Sequence, residues 1–140
     1  MKVYMQPHLP AGMTKGAIFR ENEYAWEISA FPEALREAAA LGYACLGGQF
    51  WFLLCDGSVY EFYWLEADSS ERAANEPWCE YVKRSCDEVW SRFEKLRTET
   101  DFNEEAKEFH SLKSVAPNDK VKLLFNAYFV TEKELSALEP

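Results

Sequence analysis

The sequence predicts an α+β fold in which an antiparallel β-meander packs against a long amphipathic helix and one or more shorter helices. Residues 43–65 contain three apolar runs separated by Gly47-Gly48 and Asp56-Gly57. Further along, apolar residues recur at helical spacing over several turns, and a shorter pattern of that kind precedes residue 43. A chain of 140 residues fits one domain, 1–140, and is long enough to bury its own core.

The meander is predicted as strands at 43–46, 49–55 and 58–65. The Asp-Gly pair favours a type I′ hairpin turn, because both central positions of that turn need a positive φ. A strand that is apolar on both faces is typical of the centre of a sheet, here covered by helices at 30–41 and 76–97. The middle strand has this character, since it alternates between two apolar sets, Phe50, Phe52 and Leu54 against Trp51, Leu53 and Cys55.

The N-terminal region is rich in proline and glycine. Residues 1–16 contain two of each and are predicted to form an irregular arm, in which residues 3–5 fit an edge strand. A short strand is predicted at 17–20, followed by a turn at 21–23.

The first helix is predicted over 30–41. Ser29 suits the N-cap position, and Gly42 suits the residue that ends the helix. The apolar residues at helical spacing, which should face the sheet, are Phe31, Leu35, Ala38 and Leu41.

The longest helix is predicted over 76–97, after a polar surface loop that follows Glu66. Asn75 is expected to cap it. Its apolar stripe steps by four and three residues, which indicates a core-facing side that needs no cofactor to explain it. The stripe consists of Trp78, Val82, Cys86, Val89, Phe93 and Leu96.

The C-terminal region is predicted to contain three further elements. Either Thr100 or Asp101 can cap a short helix that continues to Leu112. Residues 121–130 alternate as a strand does, although a helix also fits this pattern. Residues 131–134 have the S/T-x-x-E form of a capping box and should open a last short helix.

The negative charge of the chain is concentrated in one region. The net charge is −9, and residues 56–80 carry seven acids against Arg72 alone. Such a surface repels phosphate backbones and anionic membranes, so neither nucleic acid nor a membrane is an expected partner. It attracts and steers a basic protein. The simpler alternative is a solvated acidic loop that keeps a small protein in solution.

The sequence lacks the motifs of catalytic and cofactor sites. Four cysteines (Cys45, Cys55, Cys79 and Cys86) have no C-x-x-C spacing and no export signal, which favours reduced, mostly buried thiols over disulfides or metal binding. Nucleophile motifs and phosphate-binding loops are absent. We therefore expect no enzymatic activity, no metal and no cofactor. Without an apolar leader or a membrane-length apolar run, the expected location is the cytoplasm.

Aromatic side chains lie among the acids of residues 56–80, an arrangement typical of protein–protein interfaces. Tyr60, Phe62 and Trp64 share one strand face and are equally expected to pack under the helices. Tyr63, on the face that carries Glu61, is the better candidate for exposure. The predicted partner-binding residues are Glu61, Tyr63, Trp64, Glu66, Asp68, Glu71 and Trp78.

Residues 26–96 resemble a small α+β family of bacterial immunity proteins, which neutralise cognate polymorphic toxins such as contact-dependent and type VI effectors. The segments that carry the resemblance are 46–51 (LGGQFW), Asp56-Gly57, 63–66 (YWLE) and 80–85 (EYVKRS). Two positions depart from the family pattern: Gln49 replaces an expected acid, and the Trp of the strand end comes one place later. Residues 98–140 have no counterpart.

The resemblance implies a cytoplasmic protein that inhibits a cognate toxin domain by covering it, and an acidic surface suits a basic toxin such as a nuclease. Two other functions fit the sequence. One is a non-catalytic ligand-binding or sensory module with an aromatic pocket between sheet and helices. The other is a structural or adaptor subunit. The sequence does not specify an oligomeric state.

Overall fold

The computed structural model describes residues 9–109 and 121–138. The α+β class and the packing of an antiparallel sheet against a long helix are confirmed. The predicted edge strand at residues 3–5 and the end of the short helix at Leu112 lie outside the described residues. The elements are β1 (Ala17–Arg20), β2 (Glu23–Glu27), α1 (Phe31–Leu41), β3 (Ala44–Leu54), β4 (Val59–Glu66), α2 (Trp78–Glu99), α3 (Phe102–Glu105) with a 3₁₀ turn (Ala106–Glu108), β5 (Val121–Val130) and α4 (Glu132–Leu138).

The five strands form one antiparallel sheet in the order β1-β2-β5-β3-β4. The predicted meander of three consecutive strands is corrected in two ways. β5 lies between the two hairpins, and residues 44–54 form a single strand instead of two strands joined by a glycine turn.

The two central glycines allow neighbouring chains to come close to β3. A β-carbon on Gly48 would lie 1.9 Å from the carbonyl oxygen of Asn126 on β5, and one on Gly47 would lie 2.4 Å from Oδ1 of Asp68. Glycine inside a strand often marks such a close approach, and the β3–β5 register shifts here, between Cys45 and Gly47. The glycine pair therefore has a packing role in place of the predicted turn.

Both predicted turns form, but the type I′ geometry occurs in the β1–β2 turn and not in the β3–β4 turn for which it was predicted. The turn between β3 and β4 is a three-residue loop in which only Gly57 has a positive φ, of 90°. The predicted type I′ turn is found instead between β1 and β2, where Glu21 and Asn22 have φ values of 50° and 67°. A positive φ is energetically less favourable for these two residues than for an Asp-Gly pair.

The helices α1 and α2 lie on the same face of the sheet, and not on opposite faces as predicted. The ring of Phe31 on α1 lies 5.0 Å from that of Phe93 on α2, and both rings contact Phe125 of β5. The two apolar stripes thus bury each other as well as the sheet. The opposite face, which we call the outer face, has a separate buried cluster made of strand residues, namely Ala25, Trp51 and Leu124 with Ile18, Leu53 and Val59 at its margin.

The helix ends follow the sequence in part. Gly42 ends α1 in the left-handed conformation, and the capping box of α4 forms between Thr131 and Glu134. Asp101 caps α3. By contrast, α1 begins after Ala30 and α2 after Pro77, so neither Ser29 nor Asn75 is a cap. None of the helices in the described ranges has the length and apolar character to cross a bilayer.

Candidate protein-binding surface

The edge strand β4 contains a three-residue bulge at the point where function was expected. Phe50 of β3 pairs with Phe62, whereas the next residue, Gln49, pairs with Glu66. Residues 63–65 therefore have no partner residues on β3. Bulges at sheet edges redirect side chains and end regular pairing. Here the bulge interrupts the alternation of inward and outward side chains along β4.

The bulge separates its three side chains into different environments. Leu65 is buried in the core, and Trp64 is half-buried, with its ring 5.5 Å from Phe109 and its Nε1 donating to Glu105. Tyr63 is 68% exposed, its ring nearly perpendicular to that of Trp64. Phe62 is fully buried, so the expectation that Tyr63 rather than Phe62 faces solvent is confirmed.

Three carboxylates lie next to the bulge. Glu61 is exposed on the outer face, where it accepts a hydrogen bond from the side-chain amide of Gln49. Glu66 and Asp68 follow the bulge and are close enough for a hydrogen bond between their carboxyl groups. Desolvation of its carboxyl group, together with this hydrogen bond and the charge of Glu66, raises the pKa of Asp68 to about 6, although the residue as a whole is exposed; the charge of Arg92 acts in the opposite direction.

The segment after β4, residues 67–77, is held against α2 by Arg84. The guanidinium of Arg84 binds Glu76 through two contacts of 2.8 Å and donates to the carbonyl oxygen of Glu71 at 3.0 Å. It also pairs with Glu88, whose carboxylate accepts from the backbone N–H of Ser70 at 2.7 Å. The hydrogen bond from Arg84, followed by that from the N–H of Ala73 and by the charges of Arg84 and Arg72, lowers the pKa of Glu76 to about 2.

The acids of residues 56–80 therefore have two roles. Asp56 and Glu76 form internal contacts, the first by accepting from the N–H of Ser58 within the hairpin turn. The other five make no ion pair with any cation in the described part of the chain, and all five are exposed; they are Glu61, Glu66, Asp68, Glu71 and Glu80. Three of these, Glu61, Glu66 and Asp68, lie next to the bulge that contains Tyr63.

Two predicted site residues differ from this group. Glu71 has an exposed side chain, but its backbone is bound to Arg84. Trp78 is half-buried: its Nε1 donates to the carbonyl oxygen of Gly42 at 2.9 Å, and Arg72 covers its ring at 5.2 Å. It packs in a second small cluster that includes Leu135 of α4. The structure brings together Glu61, Tyr63, Trp64, Glu66 and Asp68, whereas the contacts of Trp78 are those of a packing residue.

No protein-family model, curated protein or solved structure matches the chain. The described residues contain no group of three His, Cys, Asp or Glu side chains placed to hold a metal ion.

The four cysteines divide into two buried and two exposed thiols. Cys45 and Cys86 are buried, and burial is the largest cause of their raised thiol pKa values, about 11 for Cys86. Cys55 and Cys79 are exposed, so the expectation of mostly buried cysteines is wrong for two of the four.

Two residues that shape this surface are not among the predicted partner-binding residues. Gln49 hydrogen-bonds Glu61 from the neighbouring strand, and Arg84 fixes residues 67–77 from α2. The sequence contains a partial signal for the bulge. The alternation of inward and outward residues along the strand is followed by three consecutive large side chains, Tyr63-Trp64-Leu65. No local pattern indicates the contacts of Arg84, which join positions up to fourteen residues apart.

Proposed function

We propose that this protein is a non-catalytic inhibitor of the immunity kind, which neutralises a cognate bacterial toxin in the cytoplasm by covering it with the surface around Tyr63. The observation that carries the proposal is the three-residue bulge, which exposes a large aromatic side chain on an edge strand among unpaired carboxylates. A solvent-exposed tyrosine ring does not stabilise the fold, whereas Tyr is frequent among the residues that dominate binding energy at interfaces.

The surface is also fixed before a partner arrives. Trp64 is anchored on Glu105 and Phe109, and Arg84 holds the segment that follows. Binding to an ordered surface avoids the entropy cost of ordering a loop, which favours tight association.

The charge around Tyr63 indicates a basic partner. The exposed acids next to the bulge, Glu61, Glu66 and Asp68, make no ion pair within the described residues, and their negative field accelerates the association of a positively charged protein. A toxin domain that acts on nucleic acid has such a surface, since it must bind phosphates. The resemblance of residues 26–96 to immunity proteins supports the same class of partner.

A ligand-binding module receives less support. A cleft of about 640 Å³ lies beside Pro32 and Leu123, but it is lined by two ion pairs, Lys122 with Glu27 and Arg97 with Glu94, and has no aromatic ring. It therefore lacks the aromatic lining of the predicted pocket, and its charged groups already pair with one another instead of converging on a ligand.

Co-expression with the toxin encoded immediately upstream tests the proposal. The wild-type chain should restore growth and elute with the toxin domain as one complex in gel filtration. Tyr63→Ala should reduce rescue, whereas Leu41→Ala, which removes another exposed apolar side chain (49% against 68% for Tyr63), should leave it intact. Failure of the wild-type chain to rescue growth and to form a complex would refute the proposed function.

A further inference from the structure

Within the described part of the chain, the outer edge of β4 is open before the bulge. In an antiparallel pair, residues alternate between those that hydrogen-bond the neighbouring strand and those whose backbone groups point away from it. Leu54 and Ser58 form a hydrogen-bonded pair at the hairpin end, so Tyr60 and Phe62 bond to β3. The N–H and C=O groups of Val59 and Glu61 consequently point away from the sheet. Nothing in the described ranges donates to them or accepts from them.

The same edge is partly covered after the bulge. Pairing resumes there with the hydrogen-bonded pair Gly48 and Ala67, which turns the backbone of Asp68 outward. Side chains of α2 occupy the outward groups of this part: Arg92 donates to the carbonyl oxygen of Asp68, and Arg84 donates to those of Ser70 and Glu71. Among the described residues, side chains of α2 thus bind carbonyl oxygens beyond the bulge, whereas no residue binds the outward groups of Val59 and Glu61 before it.

We propose that the toxin domain binds by adding one of its own extended segments to the sheet along Val59–Phe62, next to Tyr63. This inference rests on the proposed function and specifies how the partner is held. An open strand edge is a template for another strand, and natural proteins normally protect such edges. Main-chain hydrogen bonds then provide affinity, and alternate side chains provide specificity.

The side chains of the edge define the chemistry of the added segment. Residues that lie directly opposite each other on paired strands have side chains on the same face. The toxin residue opposite Glu61 therefore lies on the outer face and should be Lys or Arg. The residue opposite Tyr60 lies on the helix-covered face and should be apolar, because Tyr60 packs there against Phe109.

Charge argues against a second copy of the chain as the occupant. Antiparallel pairing of two β4 edges around a two-fold axis at Glu61 would place this exposed acid directly opposite Glu61 of the other copy. Like charges on paired strands are destabilising. A basic partner relieves this repulsion, so the edge suits a different protein better than it suits itself.

Amide hydrogen exchange, measured by NMR on the free chain and on its complex with the upstream-encoded toxin domain, tests the inference without a mutation. In the complex, the amides of Val59 and Glu61 should exchange about 100-fold more slowly than in the free chain, because they become hydrogen-bonded. The amides of Tyr60 and Phe62 are the internal control, since β3 protects them in both states. If a complex forms while Val59 and Glu61 exchange as before, the edge pairing is refuted and the proposed function is not.

A proline substitution provides an independent test. Val59→Pro removes only an outward N–H and is compatible with an edge strand, whereas Val59→Ala keeps that N–H and removes the side chain. The proline variant should bind the toxin domain at least about 10-fold more weakly than the alanine variant, through loss of a backbone hydrogen bond and the steric effect of the ring. Equal affinity of the two variants contradicts the inference, as does a free chain that dimerises through this edge in sedimentation experiments. If the proline variant does not fold, the exchange measurement on the wild-type chain decides.

Discussion

Arg84 and Glu76 form a two-pronged ion pair in which both N···O distances are 2.8 Å. The same guanidinium lies 5.2 Å above the ring of Tyr81 and donates to the carbonyl oxygen of Glu71. Two-pronged contacts combine energy with a fixed geometry, which a lysine cannot reproduce. One side chain of α2 thus determines the path of the segment that follows the candidate binding surface.

Replacement of this residue should loosen the segment without unfolding the protein. In Arg84→Ala, the N–H of Ser70 and the N–H of Ala73 lose the ordered carboxylates that they bond, so their exchange rates should rise about 10-fold or more. Arg84→Lys should resemble Arg84→Ala more than the wild type. The measurement is amide exchange by NMR, with the amides of β3 as an unaffected reference.

Arg97→Ala is the matched control for that variant. Arg97 also pairs with a glutamate on α2, Glu94, but it has no contact with residues 67–77. Its removal should leave the exchange of Ser70 and Ala73 unchanged. If both arginine variants accelerate exchange equally, the effect arises from α2 as a whole and not from the contacts of Arg84.

The ionisation of Glu76 should persist to unusually low pH. Its pKa is lowered from 4.5 to about 2, chiefly by the hydrogen bond from Arg84. Because the folded pKa lies below the unfolded one, the contribution to stability is complete above pH 4.5 and is lost as the pH falls towards 2. NMR titration of the Glu76 carboxyl carbon measures this pKa. In Arg84→Ala, it should return to the ordinary glutamate range, and an unchanged low pKa would exclude Arg84 as the cause.

Asp68 should show the opposite pH dependence. Its pKa is raised from 3.8 to about 6, so the folded protein holds a proton more tightly than the unfolded chain. The stability contributed by this group therefore falls as the pH rises from 3.8 to 6 and is constant above. Asp68→Asn should stabilise the protein at pH 7.5 by about 1 kcal/mol, after allowance for solvent screening, and by less at pH 4.5. Urea unfolding at the two pH values tests this; equal effects at both would contradict it.

The elements of the fold could be predicted from periodicity, but their arrangement could not. The stripe of α2, the capping box of α4 and the strand at 121–130 depend on neighbouring residues and are found as predicted. The insertion of β5 between the hairpins depends on pairing between residues about eighty apart, such as Phe50 with Phe125. No local preference encodes that choice. The exposure of Tyr63 was predictable from alternation, whereas the bulge that produces it depends on the position of the Gly48–Ala67 pairing.

The glycine inside β3 should tolerate no side chain. Gly47 has a φ of 128°, and a β-carbon there would lie within 2.6 Å of the Cα of Asp68 as well as near its carboxylate. Gly47→Ala should therefore destabilise the protein by about 3 kcal/mol, from backbone strain and steric overlap together. Gly42→Ala is the control, because Gly42 has a φ of 82° but no atom within 4 Å of the added carbon. Its cost should be about 1 kcal/mol, from backbone conformation alone. Similar costs for the two variants in urea unfolding would show that the contact with Asp68 relaxes freely.

The adjacent aromatic residues of the bulge should separate binding from stability. Tyr63 is 68% exposed, so Tyr63→Ala should change the free energy of unfolding by less than about 0.5 kcal/mol. Trp64 packs against Phe62 and Phe109 and donates to Glu105, so Trp64→Ala should cost about 2 kcal/mol. For toxin affinity the order should reverse: Tyr63→Ala should weaken binding about 30-fold, the effect of losing a central interface aromatic. Urea unfolding and calorimetric titration with the toxin domain provide the two measurements. If Tyr63→Ala lowers stability as much as Trp64→Ala does, then Tyr63 is a packing residue and the bulge has no role in presenting it.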